Sequence, residues 1–117
     1  MKSFNILSFV TICIMMLCCN SDNKIKALLT SKDKDYIIEG AIKAGKKGKR
    51  EFIPLLLNSV VDWRTSTNFS FKGVSVYQAK MEALSKILKI QPPVMITDIP
   101  DSTIIKFYTE LYKKESK

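Results

Sequence analysis

The sequence predicts an all-α fold of about five short helices behind an N-terminal apolar leader. Three observations point there. Apolar residues recur at three- and four-residue steps over 50–62, 75–90 and 102–112, the spacing that lines one face of a helix. Glycine and proline punctuate the chain between these stretches. Side chains that can cap a helix stand just ahead of the later ones. The chain has 117 residues, enough for one small domain with a modest core.

A single cation, Lys2, precedes an apolar core over 6–17, and polar residues follow at 20–23. This is the layout of a secretory signal. The core is short for a membrane span, which needs about 20 apolar residues; an uncleaved anchor helix is the alternative. The stretch Leu17-Cys18-Cys19-Asn20-Ser21 resembles the lipobox of bacterial lipoprotein signals, in which a cysteine directly follows the apolar core. Met16 stands three before Cys19, where such signals usually carry Leu. The resemblance implies a signal peptide over 1–18, acylation of Cys19 and a lipid anchor at a membrane of the bacterial cell envelope. Cys18 is the other candidate, with the bulky Leu17 at its cleavage position. The cysteines Cys13, Cys18 and Cys19 all lie in this leader. Cleavage before Cys19 leaves one thiol, so neither an intramolecular disulfide nor a paired-cysteine zinc site can form. Residues 19–23 then read as a polar tether, and 24–117 as the domain.

Ile25, Leu28 and Leu29 open the helical part. Ser31 is positioned to cap the next helix, with Asp33 and Asp35 in the first turn, where the helix dipole favours negative charge. Tyr36, Ile37, Ala41, Ile42 and Ala44 form its inner side, and Gly45 reads as its C-cap. The run over 45–50 is an exposed turn whose cations Lys46, Lys47, Lys49 and Arg50 either contact an anion, such as phosphate or glycan, or are simply solvated. Residues 40–46 have the spacing that opens a phosphate-binding loop. Lys47 stands where that loop needs Ser or Thr for magnesium, and the spacer is helix-forming, so nucleotide binding is set aside.

Over 50–62, Phe52, Ile53, Leu56, Leu57, Val60 and Val61 share a helical face, with Pro54 tolerated near the start. The polar insert at 62–74 carries the sole tryptophan, Trp63, with Arg64, Phe69, Phe71 and Lys72. These residue types are enriched at binding hot spots, and long loops in compact domains tend to be functional or disordered. The competing reading is that Phe69 and Phe71 complete the core as a short extended segment. Ser75 and Gln78 have capping-box spacing, and Val76, Ala79, Ala83, Leu84, Ile87 and Leu88 follow on one face until Pro92 and Pro93 forbid continuation. An extended stretch over 94–100 leads to a last helix, capped by Asp101 or Ser102, with Ile104, Ile105, Tyr108, Leu111 and Tyr112 inward and a fraying tail over 114–117.

The order Phe52-Ile53-Pro54-Leu55-Leu56, then Val76, Ala83-Leu84 and Ile87-Leu88, resembles a HEAT-type helical repeat. Ile25, Leu28, Leu29 and the stretch 36–45 resemble a shorter preceding repeat, so the likeness spans roughly residues 25–90. The 62–74 segment departs from the family's short inter-helix turn. The resemblance implies a binding or scaffolding role with no inherent catalysis.

The net charge is +8, and removing the leader takes away only Lys2. Such a balance favours anionic partners, and a lipoprotein leader weighs against nucleic acid. The chain has no histidine, which removes the commonest general base and metal ligand. Asp98 and Asp101 are explained as turn and cap residues, and Asp33 and Asp35 lack the other ligands of a calcium loop. No cofactor, metal or catalytic group is expected. The expected function is non-catalytic: protein binding or scaffolding by an envelope lipoprotein, with the membrane and an envelope protein as partners. Charge-driven adhesion to membrane or glycan, and immunity-type inhibition of a toxin, are the alternatives.

Overall fold

A computed structural model describes residues 21–115. The leader, with Cys18 and Cys19, and residues 116–117 lie outside that range. Five helices follow one another: α1, helical over 21–29; α2, Lys34–Lys47; α3, Ile53–Leu57, entered through a 3-10 turn at Arg50–Phe52; α4, Val76–Leu88; and α5, Ser102–Glu115. No strand is present among the described residues. The fold is all-α, as the periodicity predicts.

Helix α4 is the centre. Its buried residues lie almost all round its axis, and the more open positions, Gln78, Glu82 and Lys86, fall four apart on a single stripe. A helix buried on so many sides needs neighbours on each. Its principal partner is α2, and α3 and α5 cover less of it. The shared core includes Phe52, Ile53, Leu56, Tyr77, Met81, Leu84, Ile104 and Tyr108, all closed to solvent. Each such large apolar side chain gains about 1.5–3 kcal/mol on burial.

Two glycines set how closely α2 approaches its neighbours. A methyl group on Gly40 would stand 2.8 Å from Leu28 Cβ and 3.0 Å from the Leu29 backbone nitrogen of α1. One on Gly45 would stand 3.2 Å from Ala83 Cα of α4. The spacing that imitates a phosphate-binding loop is therefore a helix face that accepts two other helices.

Several boundaries differ from expectation. Residues 21–23, expected as tether, are already helical, and Asp22 is buried. Asp33, rather than Ser31, caps α2: its Oδ1 accepts from the Asp35 N–H at 2.8 Å, while Ser31 Oγ accepts from the Asp33 N–H. Helix α2 continues through Gly45, which packs on Ala83, and ends at Gly48, whose left-handed backbone (φ 70°) lets its N–H donate to Ala44 O. The arm expected over 50–62 stops at Leu57, so Val60 and Val61 lie outside any helix and Val61 is exposed. Other expectations hold. Pro54 sits in the first turn of α3, Ser75 Oγ caps α4 by accepting from the Gln78 N–H at 3.0 Å, and α4 ends at the left-handed Lys89. Asp101 Oδ1 accepts from the Thr103 N–H at the start of α5, but residues 94–100, expected to be extended, are irregular and bend at 94 and at 98–99. Lys114 and Glu115, expected to fray, continue α5, and Arg50 Nη2 meets Glu115 Oε2 at 2.8 Å.

Candidate functional site

The insert folds back on itself and closes the start of α4. The first amides of a helix have no partner within it. Here Val76 N–H donates to Arg64 O at 3.0 Å and Tyr77 N–H to Asp62 O at 3.2 Å, while Ser75 Oγ takes the next amide. The pairing continues outward with Ser66 N–H to Val74 O at 2.9 Å and Gly73 N–H to Ser66 O at 3.1 Å, beside an antiparallel bridge between Thr65 and Ser75. Gly73 provides the positive φ of 85° that the return requires.

Polar side chains pin this frame to the rest of the domain. Ser66 Oγ donates to Asp35 Oδ1 at 2.6 Å and accepts from the Asn68 N–H. Arg64 lies along Asp62, with Nη2 to Oδ2 at 2.7 Å and Nε to Oδ1 at 3.0 Å, and its Nη1 reaches Lys32 O at 2.8 Å. The Arg64 guanidinium holds the Asp62 carboxyl below the usual carboxylate range, against an opposing push from burial.

The five predicted contact residues separate on this frame. Trp63 is 64% exposed, Phe69 97% exposed, and Lys72 also faces solvent. Phe71 turns inward against the core, and Arg64 is committed to Asp62 and Lys32. The two phenylalanines therefore divide between the contact and core readings. Val61 and Tyr36 join the exposed apolar residues. The periodic patterns place both on buried faces.

The basic turn lies at the opposite end of α2, about 20 Å away by the rise of a 14-residue helix. Its cations are largely matched. Lys49 Nζ donates to Asp22 Oδ2, Lys47 Nζ lies 3.4 Å from Asp22 Oδ1 as a charge contact rather than a well-formed hydrogen bond, and Arg50 meets Glu115. Lys46 points to solvent. The Lys49 hydrogen bond lowers the Asp22 carboxyl below its ordinary value, with burial opposing.

One residue went unread in the sequence. Lys80 is 3% exposed, on the same α4 stripe as Val76 and Leu84. Its position four from each was the available signal: a lysine in an otherwise apolar row. Its Nζ donates to Asn58 O at 2.7 Å, just past the end of α3. Burial lowers the Lys80 ammonium from the ordinary lysine range, Asp62 raises it and Arg64 lowers it further. Lys80, Asn58, Asp62, Arg64 and Ser31 line a cleft of about 410 Å³ between the α1–α2 turn, the end of α3 and the insert.

Among the described residues no helix is long and apolar enough to cross a membrane, and no three Cys, His, Asp or Glu side chains gather as metal ligands. No protein-family model, curated protein or solved structure matches this chain.

Proposed function

We propose that this chain is a lipid-anchored, non-catalytic binding or scaffolding domain of a bacterial cell envelope, acylated at Cys19, that engages a partner protein through its insert. The observation that carries the reading is the presentation of Trp63 and Phe69. Large rings exposed on a frame held by backbone hydrogen bonds and by Arg64 lose little entropy when they dock. The partner would offer an apolar recess for the rings. The exposed Lys72 favours an acidic rim. With Cys19 acylated, a helix already formed at residue 21 would bring the basic turn paired with Asp22 near the membrane and leave the insert at the far end of α2.

A second reading, charge-driven adhesion through Lys46, Lys47, Lys49 and Arg50, is favoured by the position of that turn beside the proposed anchor. It is weakened by the Asp22 and Glu115 carboxylates that already face three of its four cations. The deciding experiment cross-links envelope proteins to the native chain and to a Trp63→Ala/Phe69→Ala variant. A partner captured by the first and lost by the second at unchanged helicity is the expected result. Equal capture by both, abolished by moderate salt, would favour adhesion instead. The mass of the mature N-terminus tests the lipid separately and distinguishes Cys19 from Cys18.

A further inference from the structure

The Lys80 cleft is electrically incomplete. An ammonium has three N–H donors. One of Lys80's goes to Asn58 O, and the other two find no acceptor among the described residues. The neighbouring carboxylate does not supply one, because Arg64 occupies both oxygens of Asp62 through Nε, Nη2 and its own backbone N–H. Lys80 and Arg64 against Asp62 leave one positive charge on the cleft walls; at the rim the exposed Lys32 adds one, and the Asp33 carboxylate, which also acts on Arg64, offsets it. Asp62 acts on Lys80 only from beyond contact distance, and a buried cation that no carboxylate touches is costly. Hydroxyl groups stand ready on the same walls. Ser31 Oγ accepts from the Asp33 N–H and keeps its proton to donate, and Ser59, in a left-handed backbone (φ 50°) that non-glycine residues seldom adopt, lines the cleft beside Asn58.

We infer that this cleft is a carboxylate-binding site, with Lys80 as its anchoring cation. A carboxylate brings one negative charge and two coplanar acceptor oxygens. It neutralises the surplus beside Lys80 and accepts the two N–H groups left over. A phosphate dianion would overshoot that surplus. The carboxylate can belong to a small organic acid or to the chain end or acidic side chain of a protein bound beside the insert. The inference does not rest on Trp63 and Phe69 being a contact surface, and loss of that reading leaves it standing.

The test follows the lysine methylene signals of the full chain by NMR, with Lys80 identified through the conservative Lys80→Arg variant. At constant ionic strength the protein is titrated with acetate, succinate, a short peptide with a free C-terminal carboxylate, the same peptide amidated, and chloride. The expected result is a saturating shift of the Lys80 signal with at least one free carboxylate. It comes with an upward move of its titration midpoint, while the exposed Lys72 and Lys89 stay unmoved. Asp62, held low, and Arg64, held high, do not titrate in that window. A response to the free-acid peptide but not to its amide assigns the site to a protein carboxylate, and a response to acetate or succinate alone assigns it to a small acid. A Lys80 signal that ignores every carboxylate, or that shifts with chloride as it does with the carboxylates, overturns the inference.

Discussion

Gly40 of α2 lies so close to α1 that a methyl group on its Cα would stand 2.8 Å from Leu28 Cβ, with the Leu29 backbone nitrogen only 3.0 Å away. Backbone cannot yield as a flexible side chain can. Gly40→Ala is expected to cost ~1–3 kcal/mol through overpacking, despite the ~0.5–1 kcal/mol that alanine gains over glycine inside a helix. At Gly45 the nearest contact is the looser 3.2 Å to Ala83, so Gly45→Ala should cost less. Urea melts of the two variants give the comparison.

Two buried tyrosines should respond oppositely to loss of the hydroxyl. Tyr108 donates to Ile90 O at 3.0 Å, and Tyr108→Phe should lose about 1 kcal/mol. The Tyr77 hydroxyl is buried near the Asp101 backbone without a well-formed hydrogen bond. Tyr77→Phe should therefore be neutral or stabilising, as thermal unfolding would show.

The insert's aromatics should divide in stability as they do in exposure. Trp63→Ala and Phe69→Ala are expected to fall within about 0.5 kcal/mol of the parent. Phe71→Ala should cost ~1–2 kcal/mol, below the range for a fully buried phenylalanine because the ring is only half-covered. Denaturation of the three single variants tests this without a partner in hand.

Asp22 links α1 to the end of α2 and should carry part of the acid sensitivity. Lys49, then Lys47, hold its folded pKa below 3.8. The native state thus favours the charged form. The stabilisation is fully present above 3.8 and is lost as pH falls through the lower folded value. Asp22→Asn should lower stability at neutral pH and flatten the acid limb of the stability profile. An unchanged acid limb would count against the ion pairs.

Lys80 works in the opposite direction. Burial lowers its pKa from 10.5, so between the folded value and 10.5 the unfolded chain binds a proton that the native state does not. Stability should rise with pH across that window and level off above 10.5. Denaturant melts across the alkaline range should show this rise in the parent and lose it in Lys80→Met.

The parts legible in the sequence were those decided by local chemistry. Ser75 caps α4, Pro54 starts α3, Pro92 and Pro93 follow a finished helix, and the 102–112 periodicity gives α5. The misread parts were decided by contacts distant in sequence. Gly45 reads as a stop, yet Ala83 covers it and the helix runs on to Gly48. Val60 and Val61 continue the apolar period, yet the chain leaves the helix at Asn58, whose carbonyl Lys80 takes from across the core, and Ser59 turns left-handed. Asp22 reads as tether because the lysines that fix it lie a whole helix later. At the candidate site, sequence composition marked Trp63 and Phe69 but could not separate Phe69 from Phe71, since two residues apart in an irregular loop need not share a side.

Because the amides of Val76 and Tyr77 are spent on carbonyls of the insert, these two positions act as a gauge of what happens to it. A visitor that settles on the loop as it stands should slow deuterium uptake at both. One that prises the loop away would unseat the opening turn of the central helix, and the loosening would spread into the interior.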